Sequence, residues 1–297
     1  MISLGKMFRA LLPLLVLAAC NAAAPLGADA GSPDVPATPD VPATPDVPAT
    51  PDVPATPDVP ATPDVPRVIA PCDASAGDGG LTVRGRAYNF GPGGSPTRGA
   101  IVRALEHPER CAVVDARSDF ALSGFAAGEL VSLRMEHPDF PPIQTGTHAV
   151  PDTGITGITF QAPSWGIYRL MATASRVIPL PDRCQIAATV TAVGLSIDSP
   201  TPSHGEAGAT VTIDPVPQDP EAVGPIYFNY YGPGSILPDR ALRETTRDGG
   251  VLWLNVPPGE YVLTAHKAGV RFTQARFRCE AGWLVNASPP MGLQALP

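Results

Sequence analysis

Every third residue from 33 to 66 is proline. Copies of the motif Pro-Asp-Val-Pro-Ala-Thr begin at Pro33, Pro39, Pro45, Pro51 and Pro57, and a partial copy runs from Pro63 to Pro66. Each proline fixes its own φ at about −65° and holds the preceding residue extended, so the segment favours a polyproline II helix. It has no apolar face, and its aspartates repel one another. We therefore expect a disordered, extended stalk. A proline-rich ligand for a binding module is the alternative, which the lack of basic flanks disfavours.

The charge distribution narrows the range of partners. The chain holds 20 basic and 28 acidic residues, and two and seven of these, respectively, precede residue 67. The rest of the chain is therefore close to neutral. A nucleic-acid-binding protein needs a basic surface to neutralise phosphates, so this composition argues against nucleic acid as a partner.

The first twenty residues have the pattern of an export signal. Lys6 and Arg9 precede an apolar run from Ala10 to Ala19, which is too short to span a membrane. The run ends in Leu17-Ala18-Ala19-Cys20, which resembles the lipobox of bacterial lipoproteins. The resemblance implies a signal peptide over 1–19, cleavage before Cys20, lipidation of the Cys20 thiol and a firm anchor in the cell envelope. Asn21, in place of an Asp, favours the outer membrane. An ordinary signal peptide with an incidental cysteine is the alternative.

Beyond Arg67 the chain consists of short apolar runs separated by Gly, Pro and Asp, which predicts an all-β fold. One order of strands occurs twice. The runs of the first copy are Leu81–Tyr88, Gly99–Leu105, Asp119–Leu122 and Leu130–Met135. Those of the second are Gln185–Val190, Gly208–Ile213, Gly250–Leu254 and Val256–Leu263. Two copies of one small β-unit are the simplest interpretation.

The second copy contains Val256-Pro257-Pro258-Gly259-Glu260-Tyr261-Val262-Leu263 after a Gly-Ala-x-Val strand. These features resemble the carboxypeptidase regulatory-like, prealbumin (transthyretin)-type β-sandwich. The resemblance implies two tandem β-sandwich modules at 67–162 and 184–297, behind a lipidated linker at 20–66. It is informative about the fold and implies no activity.

A short helix is predicted between the modules, in a connector at 163–183. Ile167, Leu170, Met171 and Ala174 recur at helical spacing behind Ser164, a suitable N-cap. We interpret this apolar stripe as packing against a sheet edge rather than as a cofactor site.

Four cysteines remain after Cys20: Cys72, Cys111, Cys184 and Cys279. An exported chain meets an oxidising compartment, and three pairings are open. The repeat favours Cys72–Cys111 and Cys184–Cys279, one bridge per module. A Cys₄ zinc site is the alternative, which the absence of any Cys-x-x-Cys pair disfavours.

No catalytic motif is recognisable. The five histidines show no metal-binding spacing, and the Glu-His-Pro motifs around His107 and His137 fit surface loops. The sequence therefore predicts a non-enzymatic protein without metal or cofactor. An unrecognised hydrolase or dioxygenase is the alternative from another class.

One aromatic segment is a candidate binding surface. On a strand, Tyr227, Asn229 and Tyr231 share one face, and Phe228 and Tyr230 share the other. One set belongs to the core, and the other can meet an envelope glycan or a surface protein. We expect an envelope lipoprotein with a structural, adhesive or binding role. A carbohydrate-binding surface module, with Tyr227, Asn229 and Tyr231 as its face, is the alternative.

Overall fold

The fold was described from a computed structural model. It covers residues 68–73, 79–90, 94–199, 204–232, 235–288, 290 and 292–297. The predicted signal peptide, the lipidation site Cys20 and the proline-rich stalk lie outside these residues, and they remain predictions. The described part is mostly β-structure with one short helix, which confirms the predicted class at that level.

Seventeen strands and one helix make up the described chain. In chain order they are β1 (Leu81–Asn89), β2 (Ile101–Ala104), β3 (Cys111–Val113), β4 (Asp119–Phe125), β5 (Leu130–Glu136), β6 (Ile143–Ala149), β7 (Ile155–Ala162), α1 (Trp165–Ala174), β8 (Cys184–Thr191), β9 (Thr210–Asp214), β10 (Val223–Gly232), β11 (Ser235–Asp239), β12 (Gly250–Val256), β13 (Gly259–His266), β14 (Arg271–Phe272), β15 (Gln274–Cys279), β16 (Leu284–Ala287) and β17 (Leu293–Leu296).

A long sheet runs through both copies of the predicted repeat. Its order is β11-β10-β12-β8-β16-β6-β5-β2-β3, with β17 attached to β8 and β14 attached to β17, and two three-stranded sheets, β4-β1-β7 and β15-β13-β9, lie beside it. Strand β16 joins the two halves of the long sheet. Leu284 pairs in parallel with Ile143 of β6 and also with Gln185 of β8.

The same pairing order occurs in both copies. Strand β1 pairs antiparallel with β4 and parallel with β7, and β8 pairs antiparallel with β12 and parallel with β16. Likewise β5 lies between β2 and β6, and β13 lies between β9 and β15. The two copies therefore share one pattern of neighbours. The prealbumin-type topology implied by the resemblance is not established by this pattern.

Each three-stranded sheet encloses an apolar core against the long sheet. In the first copy, Leu122 and Phe160 pack with Leu133 and Met135 of the long sheet. In the second copy the buried residues come from both sheets: Ile186, Val211, Trp253, Leu263, Phe277 and Val285. Alternate residues of these strands point into the cores, as the period of two requires.

Helix α1 covers the opposite face of the long sheet in the second copy. Its N-cap is Ser164, as predicted, and the Ser164 side chain accepts a hydrogen bond from the Ile167 amide. Beneath the helix, Ile226 and Phe228 of β10 and Leu252 and Leu254 of β12 form a third apolar cluster. Strand β12 is buried along its whole length because both of its faces are covered.

The segment after the helix is held to the end of β12. Asn255 has a φ of 57°, and its side chain is buried. Its Oδ1 accepts a hydrogen bond from the Leu180 amide (2.9 Å), and its Nδ2 donates to the Ile178 carbonyl (3.0 Å). This side chain therefore fixes the connector, and with it the helix, against the sheet.

Candidate binding cavity

A cavity of about 140 Å³ lies between α1 and the long sheet. The helix contributes Tyr168, Met171 and Ala172, and the sheet contributes side chains from β8, β10, β12 and β16. The lining is mostly apolar with a few polar groups, which is typical of sites for small ligands. It forms because α1 covers an apolar sheet face without filling the space above Ala187 and Leu252.

Aromatic rings make up part of the wall. Phe90, Tyr168 and Phe228 line the cavity from three separate segments of the chain. The Phe228 ring packs directly against Gly250, which has no side chain. A Cβ at this position would lie 2.6 Å from Phe228 Cδ2. The same Cβ would lie 2.6 Å from Asp248 Oδ2. The Asp248 carboxylate and the Phe228 ring therefore both lie against Gly250.

Asp248 is the acidic group of the cavity. Its Oδ2 accepts a hydrogen bond from the Gly250 amide (3.1 Å) in the turn before β12. Gly249, with a φ of 79°, allows this turn to pass close to the Val190 carbonyl. Burial raises the pKa of the Asp248 carboxyl to about 6, although the Gly250 hydrogen bond acts in the opposite direction. Among the described residues, Asp248 has no salt-bridge partner.

A side-chain amide adds a second polar group. Asn286 of β16 lines the cavity and is only 7% exposed. Its Oδ1 is buried and has no hydrogen-bond partner in the described structure. A buried acceptor without a donor costs about 1–3 kcal/mol, so this amide is a place where a ligand gains by donating a hydrogen bond.

Two further titratable groups line the cavity. Burial lowers the pKa of His204, against the opposing charge of Asp198. Burial raises the pKa of the Tyr168 phenol to about 12. At neutral pH both groups are therefore uncharged, and the carboxylate of Asp248 supplies the charge among the described lining residues.

The structure separates the three members of the predicted aromatic face. Tyr227 is 2% exposed in the second core, where its hydroxyl accepts a hydrogen bond from the Val211 amide (3.0 Å). Asn229 Nδ2 lies 3.3 Å from both Asp239 Oδ2 and Tyr231 Oη, and Tyr231 is 63% exposed. Tyr227 is thus a core residue, because α1 and the second core cover both faces of β10 at this point, and a binding role for the three residues stays a prediction.

Both predicted cysteine pairs are disulfide-bonded. Cys72 is joined to Cys111 and Cys184 to Cys279, each with a Cα–Cα distance of 5.8 Å. Cys184 begins β8 and Cys279 ends β15, and both are fully buried in the second core, whereas Cys72 is half-buried in an irregular segment. One bridge therefore joins the two sheets of the second copy inside its core, and the other lies at the margin of the first copy.

The remaining sequence candidates lie in loops or at strand ends. His107 Nε2 is 3.0 Å from Glu129 Oε1, between β2 and β3, and His137 Nδ1 accepts a hydrogen bond from the Asp139 amide. Across the described ranges, no group of three or more His, Cys, Asp or Glu side chains is placed to hold a metal ion. Within the same part of the chain, no helix has the length and apolar character needed to cross a membrane.

Comparison with known proteins identifies no family. No protein-family model and no curated protein matches the chain. Distant structural matches include a chain of a type II cohesin–X-dockerin complex from Acetivibrio cellulolyticus, with 13% identity, coverage of 35% of this chain and 77% of that chain, and a TM-score of 0.23. A shaft pilin from Lactobacillus rhamnosus GG has 7% identity, coverage of 73% and 98%, and a TM-score of 0.22. The major pilin from Streptococcus pyogenes has 10% identity, coverage of 73% and 97%, and a TM-score of 0.17. Similarities this weak carry no argument about function.

Proposed function

We propose that the protein is a lipid-anchored component of the bacterial cell envelope that displays a β-domain on a proline-rich stalk and acts by binding rather than by catalysis. In this proposal, Cys20 carries the lipid and residues 33–66 form the spacer. Two prealbumin-type modules, at 67–162 and 184–297, form the displayed part. The absence of Asp after Cys20 favours the outer membrane.

The observation that carries the proposal is the disulfide in each copy of the repeat. Such bridges form and persist in oxidising compartments outside the cytoplasm. Cys72–Cys111 and Cys184–Cys279 account for every cysteine after Cys20, the residue that the lipobox resemblance assigns to lipidation. The cysteine pattern and the export signal therefore support the same location.

A binding role is supported by the cavity beneath α1. Its lining is mainly apolar, and its few polar groups include a carboxylate without a salt-bridge partner and a buried amide oxygen without a donor. Groups of this kind fix the orientation of a ligand and make a site selective. An envelope protein with such a site at the end of a stalk can capture a small molecule away from the membrane surface.

The experiment that tests the anchor is the substitution Cys20→Ser. The expected result is loss of palmitate labelling and transfer of the protein from the detergent phase to the aqueous phase, because the acceptor thiol is gone. Asn21→Gln, which changes the neighbouring residue and keeps the thiol, serves as the matched control. A Cys20→Ser chain that still partitions with detergent and takes up label would contradict the proposal.

A further inference from the structure

We propose that the cavity beneath α1 binds a small primary amine whose apolar part is about the size of one aromatic ring. The inference rests on the binding role proposed above, but it does not depend on the lipid anchor. It follows from the size of the cavity, the charge of its lining and the unsatisfied polar groups in its wall.

The size of the cavity sets the upper limit on the ligand. An apolar cavity of about 150 Å³ is large enough for benzene, and this one measures about 140 Å³. Its apolar wall, with Met171 and Leu252 on opposite sides, suits a compact hydrocarbon body. Peptides, disaccharides and long acyl chains are too large to be enclosed.

The charge of the lining selects a cation. Asp248 lines the cavity without a salt-bridge partner, and no Lys or Arg is among the described lining residues. The Phe228 ring stands beside the Asp248 carboxylate, across the position left open by Gly250. An ammonium group is attracted by a carboxylate and by the face of an aromatic ring, and both attractions grow when water is excluded. An anionic ligand would meet only repulsion there.

The number of acceptors favours a primary amine over a more substituted one. Asp248 Oδ2 already accepts the Gly250 amide, and Asp248 Oδ1 has no hydrogen-bond partner among the described residues. The unsatisfied Asn286 Oδ1 belongs to the same cavity wall. A primary ammonium carries three donors, so it can donate to Asp248 Oδ1 and keep further donors for other acceptors of the wall. A quaternary ammonium has no donor for either oxygen.

The titratable groups around Asp248 make the charge of the site depend on pH. His204 and Tyr168 share the cavity, Asp198 acts on His204, and Arg247 stacks on Tyr230, with its Cζ 5.2 Å from the ring centroid. Because burial raises the pKa of Asp248 to about 6, its carboxyl is ionised at pH 7.5 and mostly protonated at pH 5. Binding of an ammonium ion is therefore expected to weaken over this range.

Three probes of similar size and different charge test the inference: benzylamine, benzyl alcohol and benzoate. The protein is the full-length chain with Cys20→Ser, so that no detergent competes for the probes, and affinity is measured by ligand-observed NMR titration. At pH 7.5 benzylamine is expected to bind at least about tenfold more tightly than benzyl alcohol, and benzoate more weakly than both. At pH 5 the preference for benzylamine is expected to fall to about twofold.

Substitutions assign the preference to Asp248 and the binding to the cavity. Asp248→Asn retains an oxygen for the Gly250 amide and is expected to bind benzylamine and benzyl alcohol equally. Asp115→Asn is the matched control, because Asp115 likewise accepts backbone amides in a turn, two against the one at Asp248, but lies outside the cavity, and it should keep the full preference. Ala187→Met adds atoms to the floor of the cavity and should weaken both probes at least about tenfold.

The outcomes separate this inference from the proposed function. Equal binding of benzylamine and benzyl alcohol by the unsubstituted cavity, or a preference that survives Asp248→Asn, would overturn it. Unchanged binding of the probes in a folded Ala187→Met chain would also overturn it. If circular dichroism shows that Ala187→Met loses structure, Ala172→Met is used in its place. Failure of the lipidation experiment leaves these measurements unaffected, since the anchor is absent from the protein used.

Discussion

The two copies of the repeat pair their strands in the same order but differ at the outer face of the sheet that contains β1 in the first copy and β8 in the second. In the first copy this face is polar and exposed: Arg86 Nε of β1 lies 3.8 Å from Asp119 Oδ1 of β4, and both side chains are more than half exposed. In the second copy Phe228 and Leu252 make it apolar, and α1 covers it. A polar face can remain against water, whereas an apolar one needs a cover, and an imperfectly fitting cover leaves a cavity. The candidate site is thus a consequence of which copy carries the apolar face.

Removal of the disulfides is expected to have the largest effect on stability, and an effect of different size in the two copies. Replacing Cys184 and Cys279 together by Ala is expected to lower the free energy of unfolding by about 5 kcal/mol, because the bridge closes a long loop and both residues are in the core. Replacing Cys72 and Cys111 together should cost about 3–4 kcal/mol, since that loop is shorter and Cys72 lies at the margin. Urea titration followed by circular dichroism measures both values. Equal losses would show that the bridges act alike in the two copies.

His148 gives the first copy an expected sensitivity to acid. It is in register with the core residue Val131, its Nε2 is buried without a partner in the described structure, and burial lowers its pKa to about 4. Between pH 6.5 and 4 the unfolded chain therefore binds a proton that the folded chain does not, and stability falls as the pH falls. From pH 7.5 to 4.5 the unsubstituted protein should lose about 3 kcal/mol more than His148→Gln.

The control for this prediction is the exposed His266 of β13. His266→Gln should follow the unsubstituted protein at every pH. If His148→Gln loses as much stability in acid as the unsubstituted protein does, another group is responsible for the sensitivity.

Asp248 is expected to give the second copy the opposite dependence of stability on pH. Its pKa is about 6 in the folded protein against 3.8 as its ordinary value, so between these values the folded state keeps a proton that the unfolded state has lost. Stability therefore falls as the pH rises through this window, and the loss is complete above it. At pH 7.5 Asp248→Asn should raise the free energy of unfolding by about 2 kcal/mol, allowing for partial solvent access.

Urea titration at pH 7.5 and pH 4.5 checks the sign of this effect. The gain from Asp248→Asn should shrink at the lower pH, where the carboxyl of the unsubstituted protein is protonated. A gain of equal size at both values would mean that the substitution acts through packing and not through the charge.

Local features of the sequence predicted local features of the structure. The runs of alternating residues became strands, the helix begins behind Ser164, and the cysteines are paired within each copy. These predictions depend on periodicity, on capping chemistry and on the recurrence of one strand order. Each of these is visible within a short stretch of chain or by comparing two stretches.

What the sequence did not reveal depends on contacts between distant segments. The alternation around Tyr227 predicted two faces correctly, but it could not show that α1 covers one and the second core covers the other. Asp248 looks like an ordinary residue of an Asp-Gly-Gly turn, and Asn286 belongs to a run of four buried residues. Only the long sheet and the helix bring these two side chains to one cavity, so no motif marks them.

The position of β16 has a consequence for folding during synthesis. The chain is made from its N-terminus, so β6 and β8 emerge well before residues 284–287. Until those residues arrive, each of the two strands has an open edge along most of its length, and open edges recruit other chains. Chaperones that meet the growing chain would therefore have to shield two strand edges at once, until synthesis had delivered β16 to the gap between them.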